Sequence, residues 1–219
     1  MKETGIMMST EMVKAILDGR KTMTRRTWGL EKVNKNPDNF WLLDFISNNT
    51  IAVFDQPSGE IITIKCPYGG VGDWLWVKET FWIEHDSDWD EYSGKLLDCG
   101  INIAEDDWAE VRYCATDMEP SGDYVPLSVY SKRPSIHMPR WASRIWRQIT
   151  EIRAERLQDI TEGDARSEGI DASNAIEWYG EDDPNYPDEF NAQISFKYLW
   201  DSLNAKAGHG WDKNEWVWP

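Results

Sequence analysis

Four short apolar runs, each bounded by turn-forming residues, most constrain the fold of this 219-residue chain. Phe40–Phe45 and Thr50–Phe54 are separated by Ser-Asn-Asn, and Ile61–Cys66 follows Pro-Ser-Gly. Trp74–Trp82 follows a glycine-rich turn. Runs of this length that are rich in β-branched and aromatic residues are typical of strands, and the intervening residues are typical of tight turns. The sequence therefore predicts a β-meander over the first three runs and a further strand over Trp74–Trp82.

Helices are predicted on both sides of the meander, which makes the predicted class α+β. The first helix begins after Ser9 or Thr10, either of which can cap it, and Gly19 lies where a left-handed residue would end it. A second helix is predicted within Leu157–Ile170, with an N-cap threonine and a terminating glycine. A third is predicted over 190–203 from its apolar periodicity.

Two more strands and two insertions complete the predicted organisation. Ile145–Leu157 alternates apolar and polar residues over enough positions for a long strand, and Glu215–Trp218 is a predicted last strand. The length suits one domain over 1–219, with acidic insertions at about 84–125 and 171–189. An alternative role for the first insertion is to imitate nucleic acid towards a basic partner.

Composition excludes several classes of function. The net charge of −16 argues against binding to long duplex DNA, because phosphate neutralisation supplies most of that affinity. No apolar run has the length of a membrane span, and the N-terminal residues lack a signal-peptide core. The three cysteines and three histidines have no metal-ligand spacing, so no metal and no cofactor are predicted. A cytoplasmic protein is expected.

The segment that follows the first helix concentrates polar chemistry. Lys21, Thr24 and Arg26 place an amine, a hydroxyl and a guanidinium within six residues. An amine that is desolvated or lies beside cations has a lowered pKa and can accept a proton from a hydroxyl. This pattern predicts Lys21 as base, Thr24 as nucleophile, and Arg25 or Arg26 as a group that holds a phosphate or an oxyanion. The alternative is a solvated basic turn.

Glu79 is the second candidate catalytic residue. If Trp74–Trp82 is a regular strand, Glu79 points to the same side as Val77 and Phe81. A carboxylate on an apolar face needs a buried cation or a raised pKa, and Lys21 or Arg26 is the predicted partner. The alternatives are a bulge in the strand, or a solvated Glu79 at its open end.

A second basic island follows the first acidic insertion. Pro139 is predicted to begin a short helix in which Arg140 and Arg144 lie four residues apart on one face, where they could grip one phosphate or carboxylate. Trp141 between them could stack on a base. The alternative is a surface helix with Trp141 packed inward and both arginines in water.

Four segments resemble ASCH domains. Gly19-x-Lys21-x-x-Thr24-x-Arg26 resembles the family signature G-x-K-x-x-[E/T]-x-R, and its threonine resembles the bacterial N4-acetylcytidine amidohydrolases within the family. The other segments resemble phage and prophage ASCH proteins; they are the G-D-W-L-W-V-K-E-T-F run, the S-I-H-M-P-R-W-A-S-R-I run, and the L-Q-D-I-T-E-G-D-A-R-S-E-G-I run.

The resemblance implies a fold and an activity. The implied fold is a PUA-like small mixed β-barrel with flanking helices. The implied activity is hydrolysis of an acylated nucleobase or nucleoside by Lys21, Thr24 and Glu79, with Trp28 or Trp76 stacking the base. A phage-encoded protein of this kind would act in the cytoplasm of its bacterial host.

Two other functions stay open. PUA-like domains also recognise RNA or modified bases without changing them, and the arginines at 25, 26, 140 and 144 would then clamp a nucleoside or single-stranded RNA. The third is a phage accessory protein that binds a host factor through its acidic insertion.

Overall fold

The structure is a computed structural model that describes residues 1–84, 111–117, 130–170 and 191–219. It is of the α+β class and divides into two compact units. The first unit comprises Met1–Thr4, Ala15–Leu75 and Arg147–Pro219, and the second comprises Gly5–Lys14 and Trp76–Trp146. Both predicted acidic insertions fall mostly outside the described residues, and the single domain over 1–219 stays a prediction.

The predicted meander is confirmed in the first unit. Strands β2 (Phe40–Ser47), β3 (Thr50–Asp55) and β4 (Glu60–Lys65) form an antiparallel sheet in that order. One face of the sheet contributes Ile51 and Val53 to a buried cluster. The alternation of side chains across a strand leaves the other face outward, where Trp41 and Ile61 are exposed.

Helix α1 (Thr10–Leu17) ends at the basic segment, as predicted. The Ser9 hydroxyl accepts a hydrogen bond from the Met12 amide at 3.3 Å, which identifies Ser9 as the N-cap. Gly19 has a φ of 75°, in the left-handed region that glycine adopts without steric cost. Val13 and Ile16 are buried, so the apolar face of the helix is anchored immediately before the segment.

The C-terminal part of the first unit forms a second core. Helix α2 (Glu162–Ser167) is capped by Thr161, whose hydroxyl accepts from the Asp164 amide at 3.0 Å, and Gly169 ends it with a φ of 94°. Helix α3 (Ala192–Asn204) packs Phe196 and Trp200 against it. Strands β10 (Glu155–Arg156) and β11 (Trp216–Val217) pair antiparallel beside these helices.

The run Trp74–Trp82 is two strands rather than one. It comprises β5 (Trp74–Lys78) and β6 (Phe81–Glu84), and the interruption falls at Glu79 and Thr80. Strand β5 is central in a sheet of order β1-β5-β9, with β1 at Glu3–Met7 and β9 at Trp146–Gln148. Strand β6 is central in a sheet of order β7-β6-β8, with β7 at Val111–Tyr113 and β8 at Tyr130–Arg133.

The long strand predicted over Ile145–Leu157 was wrong. The segment contributes β9 to one sheet and β10 to another, and the residues between them belong to no strand. The apolar and polar residues of this segment alternate although it is not one strand, because each end buries its own apolar side chains. Ile145 and Ala154 are both buried. The described strands form four small sheets and do not close into a barrel. In the described residues, no helix is both long and apolar enough to cross a membrane.

Candidate functional site

The Lys21 side chain is buried against the end of α2. A backbone bridge joins Lys21 to Glu168, and the Thr22 and Met23 amides donate to the Ser167 carbonyl at 2.8 and 2.9 Å. The Lys21 amine then donates to the Glu168 carbonyl at 2.9 Å and to its carboxylate Oε2 at 2.6 Å. Only 3% of the Lys21 side chain and 5% of the Glu168 side chain are exposed. The basic segment is therefore docked on an acidic helix end, and it is not the solvated turn of the alternative interpretation.

Burial lowers the pKa of the Lys21 amine below its ordinary value. The Glu168 carboxylate acts in the opposite direction through its charge and its hydrogen bond, while the positive charges of Arg26 and Arg25 lower the pKa further. The net direction is downward because a desolvated ammonium is costly. A lowered pKa makes the neutral amine, the form that accepts a proton, accessible at a lower pH.

Arg25 lies in the same acidic cluster. Its guanidinium donates to Glu155 at 2.5 Å and to both Asp164 and Glu168 at 3.2 Å. None of the Arg25 side chain is exposed. The prediction that Arg25 holds a substrate phosphate has no support here, because three carboxylates already occupy the guanidinium and solvent does not reach it.

Arg153 completes the cluster from the segment before β10. It contacts Asp164 at 3.1 Å and Glu155 at 3.7 Å. Burial alone would raise the pKa of Asp164, but the hydrogen bond and charge of Arg153, with the charge of Arg25, hold that pKa below its ordinary value. The Asp164 carboxylate is thus favoured in its ionised form.

Thr24 and Arg26 continue the motif outside the named helices and strands. Thr24 is half-buried, and its hydroxyl makes no hydrogen bond within the part of the chain that the structure describes. The Arg26 backbone pairs with Trp218, donating at 3.0 Å and accepting at 2.8 Å. The last residues of the chain therefore fix the segment at the end opposite Lys21, with Thr24 between the two anchors.

Glu79 is buried as predicted, but with a different partner. Its two carboxylate oxygens accept from Nε and Nη2 of Arg144, each at 3.0 Å, so the predicted pair with Lys21 or Arg26 was wrong. Arg144 also donates to the Thr116 hydroxyl at 2.8 Å, and its guanidinium stacks 3.9 Å from the centre of the Tyr113 ring. A bidentate, stacked arginine satisfies the buried carboxylate entirely within the second unit.

The second basic island does not form the predicted helix face. The turn that begins after Pro139 is a single 3-10 turn over Arg140–Ala142, and the chain is extended at Ser143. Arg140 stacks over the Trp146 ring at 4.9 Å, whereas Arg144 turns to Glu79. The two arginines therefore do not grip one phosphate together, because the turn is too short to align them.

The predicted stacking residues have different surroundings. Trp28 is 57% exposed and makes an edge contact with Tyr68, and Trp141 is 47% exposed. Trp76 is half-buried, with Lys78 above its ring and Gly5 against its edge. Trp28 and Trp141 thus keep accessible ring surface of the kind that stacks bases.

Sequence reasoning missed the acidic half of the site. Glu168, Asp164 and Glu155 lie more than 120 positions from the basic segment that they neutralise. Their only signal was the concentration of acids around α2, complementary in sign to Lys21 and Arg25. Among the described residues, no group of three or more His, Cys, Asp or Glu could hold a metal ion. Comparisons with protein-family models, curated proteins and solved structures find no match.

Proposed function

We propose that the chain is an amidohydrolase that acts on an acylated nucleobase or nucleoside, with Lys21, Thr24 and Glu168 as its catalytic residues. Glu168 replaces Glu79 in this assignment because it is the carboxylate that contacts the Lys21 amine. We also propose that the chain is an ASCH domain, as the motif resemblance implies, and that its four small sheets belong to a PUA-like architecture.

One observation carries the proposal. A buried amine with a lowered pKa is hydrogen-bonded to a carboxylate, three residues before a half-buried threonine hydroxyl that has no partner among the described residues. A structural lysine needs its carboxylate but not a neighbouring unpaired hydroxyl. An acyl-transfer site needs both, because the base must deprotonate the nucleophile.

The reaction follows from these groups. The neutral Lys21 amine takes the Thr24 proton, and the alkoxide attacks the amide carbonyl carbon. Arg26 or a backbone amide stabilises the oxyanion. The lysine ammonium then returns a proton to the departing nitrogen, and water hydrolyses the threonine ester to release the carboxylic acid. Glu168 orients the amine and stabilises its charged form between these steps.

The test uses a panel of N-acylated nucleosides that includes N4-acetylcytidine, with release of free nucleoside as the readout. We expect turnover by the wild type and losses of at least about 100-fold for Lys21→Met, Thr24→Val and Glu168→Gln. Thr22→Val is the matched control, because Thr22 is exposed two residues before Thr24, and it should retain activity.

Glu79→Gln separates the two candidate acids. A variant that folds and retains turnover supports Glu168, whereas a loss as large as that of Glu168→Gln supports the earlier assignment. Absence of turnover by the wild type on every acylated nucleoside, or full activity of Thr24→Val, would refute the amidohydrolase.

The second candidate is a non-catalytic module that binds single-stranded RNA or a modified base. The exposed ring of Trp141 and the adjacent exposed Arg140, both in the second unit, favour it, since stacking and charge together bind unpaired bases. Trp28 is a separate exposed ring in the first unit. The burial of Arg25 and the pairing of Arg144 remove two of its four predicted arginines. Tight RNA binding without turnover, unchanged in Lys21→Met, would support this function. Capture of a host protein by the acidic insertion would instead support the role of a phage accessory protein.

A further inference from the structure

Arg25 is fully enclosed by the acids around it. Its side chain has no exposed surface, and its two terminal nitrogens contact three carboxylates. Its Nε is buried with no hydrogen-bond partner among the described residues, and the Phe196 ring lies 5.8 Å from the guanidinium carbon. An unpaired buried donor costs free energy. The contacts with the carboxylates therefore hold the Arg25 guanidinium in place even though one of its donors has no acceptor.

Arg25 and Lys21 hold the same carboxylate from two sides. The Lys21 amine contacts Oε2 of Glu168 at 2.6 Å, and Nη1 of Arg25 contacts Oε1 of Glu168 at 3.2 Å. Because each oxygen has its own cation, the carboxylate cannot rotate without breaking both contacts. The direction in which Glu168 faces the amine is therefore fixed by Arg25.

The cluster is balanced in charge. Lys21, Arg25 and Arg153 oppose Glu155, Asp164 and Glu168. Arg153 shares Glu155 and Asp164 with Arg25 but makes no contact with Glu168 in the described residues. The chain thus offers two arginines in one network, of which one touches the Lys21–Glu168 pair and the other does not.

We propose that Arg25 is a positioning residue, which aligns the Glu168 carboxylate with the Lys21 amine and does not itself touch the substrate. The proposal rests on the proposed function of Lys21 and Glu168. It assigns a role to a residue that the motif spacing leaves unspecified, between Thr24 and Arg26. A buried cation in this place also keeps the surroundings of the amine from becoming strongly negative.

The kinetic test compares Arg25→Gln, Arg25→Lys and Arg153→Gln on the acylated nucleoside that the wild type hydrolyses. We expect Arg25→Gln to lower kcat by about 10- to 100-fold with KM changed by less than about threefold, since misalignment affects the chemical step. Arg25→Lys should recover part of kcat. Arg153→Gln should stay within about threefold of the wild type. Equal losses in Arg25→Gln and Arg153→Gln would overturn the proposal, because the network would then act only through stability.

A second measurement does not depend on turnover. Reductive methylation at a series of pH values, followed by mass spectrometry of the Lys21 peptide, gives the apparent pKa of the Lys21 amine. If Arg25 aligns Glu168, its removal frees the carboxylate, and the Lys21 amine loses the charge and hydrogen bond of Glu168 that raise its pKa. These effects are larger than that of the Arg25 charge, so the pKa should fall further in Arg25→Gln, and Arg153→Gln should leave it unchanged. An unchanged value, or the rise that loss of the cation alone would give, would overturn the proposal.

The two measurements separate this inference from the proposed function. If the wild type shows no turnover but Arg25→Gln shows the expected pKa shift, the amidohydrolase is refuted and the alignment of Glu168 by Arg25 is retained. If Arg25→Gln does not fold, Arg25→Gln combined with Glu155→Gln removes one charge of each sign and preserves the balance of the cluster. The same shift is expected in that double variant, and its absence there would overturn the proposal.

Discussion

Glu79 and Lys21 are both buried, and a buried charge must be paired because water cannot solvate it. Glu79 finds Arg144 within the second unit, and Lys21 finds Glu168 within the first. In each pair the sequence identifies one member: Lys21 by its place in the basic motif, and Glu79 by its place on the apolar side of the predicted strand. The other member comes from a distant segment, and the physical requirement for a counter-charge does not specify which one.

Arg144→Ala should destabilise the protein by about 3 kcal/mol, because it leaves the Glu79 carboxylate buried and unpaired. The measurement is the free energy of unfolding from urea titration. Arg166→Ala is the control, since it breaks an exposed i,i+4 pair with Glu162 that should contribute less than about 0.5 kcal/mol. Similar effects of the two substitutions would show that the Glu79 pair is solvated in solution.

The lowered pKa of Lys21 predicts a dependence of stability on pH. Between the folded-state value and the higher unfolded value, the unfolded chain binds more protons, so the free energy of unfolding rises with pH across that window. Below the folded-state value the penalty for a buried ammonium is fully present. The stability of the wild type relative to Lys21→Met should therefore increase as pH rises towards the ordinary lysine value, by about 1.4 kcal/mol for each pKa unit of the shift. A difference that decreases with pH would show that Glu168 raises the pKa.

At the scale of elements, the site depends on how closely the end of α2 approaches the basic segment. Gly169 makes this approach possible, because a Cβ built on it would lie 3.0 Å from the Ala15 Cβ and 3.1 Å from the Lys21 Cβ. Its φ of 94° is also unfavourable for other residues. One glycine thus serves both as the end of a helix and as the contact that lets Lys21 reach Glu168.

Gly169→Ala should cost about 2 kcal/mol or more and reduce turnover, since strain and crowding add at this position. Gly59→Ala separates the two effects, because Gly59 has a φ of 72° with nothing within 4 Å of the added Cβ. We expect about 1 kcal/mol there and unchanged turnover. Thermal unfolding and kinetics of both variants test this prediction. Equal effects on turnover would show that Gly169 has no specific role at the site.

Local signals predict the elements, and distant pairing decides the site. The Ser9 cap, the Gly19 stop, the Thr161 cap and the meander turns depend on neighbours within a few residues, and the structure confirms them. The strand predicted over Ile145–Leu157 failed because alternation does not reveal a change of sheet. The partners of Lys21 and Glu79 were missed because they lie in distant segments. No local pattern encodes which remote acid or base completes a buried pair.

At the scale of the whole molecule, the net charge of −16 opposes self-association while one sheet face offers an apolar row. Trp41, Phe54 and Ile61 lie in register across β2, β3 and β4, and Trp41 and Ile61 are 61% and 63% exposed. Charge repulsion between copies acts over about 10 Å in 0.1 M salt and only about 3 Å in 1 M salt. The solubility of the protein therefore depends on ionic strength.

Raising the salt concentration to about 1 M should increase association of the wild type, because the screened charges no longer keep the apolar rows apart. Trp41→Lys should suppress that association with less than about 0.5 kcal/mol change in stability. Leu203→Lys is the control, since Leu203 is exposed on α3 outside the row and its replacement should change little. Static light scattering measures the outcome, and salt-dependent association that Trp41→Lys does not affect would assign it to another surface.

The hydrogen bond between Lys21 and Glu168 joins residues 147 positions apart. During synthesis the lysine leaves the ribosome long before its carboxylate exists, and Trp218, which pairs with the Arg26 backbone, is made later still. A nascent or truncated chain thus carries the basic motif without the acids that enclose it. The buried pair of Lys21 and Glu168 therefore forms only after the helix end that carries Glu168 has been synthesised.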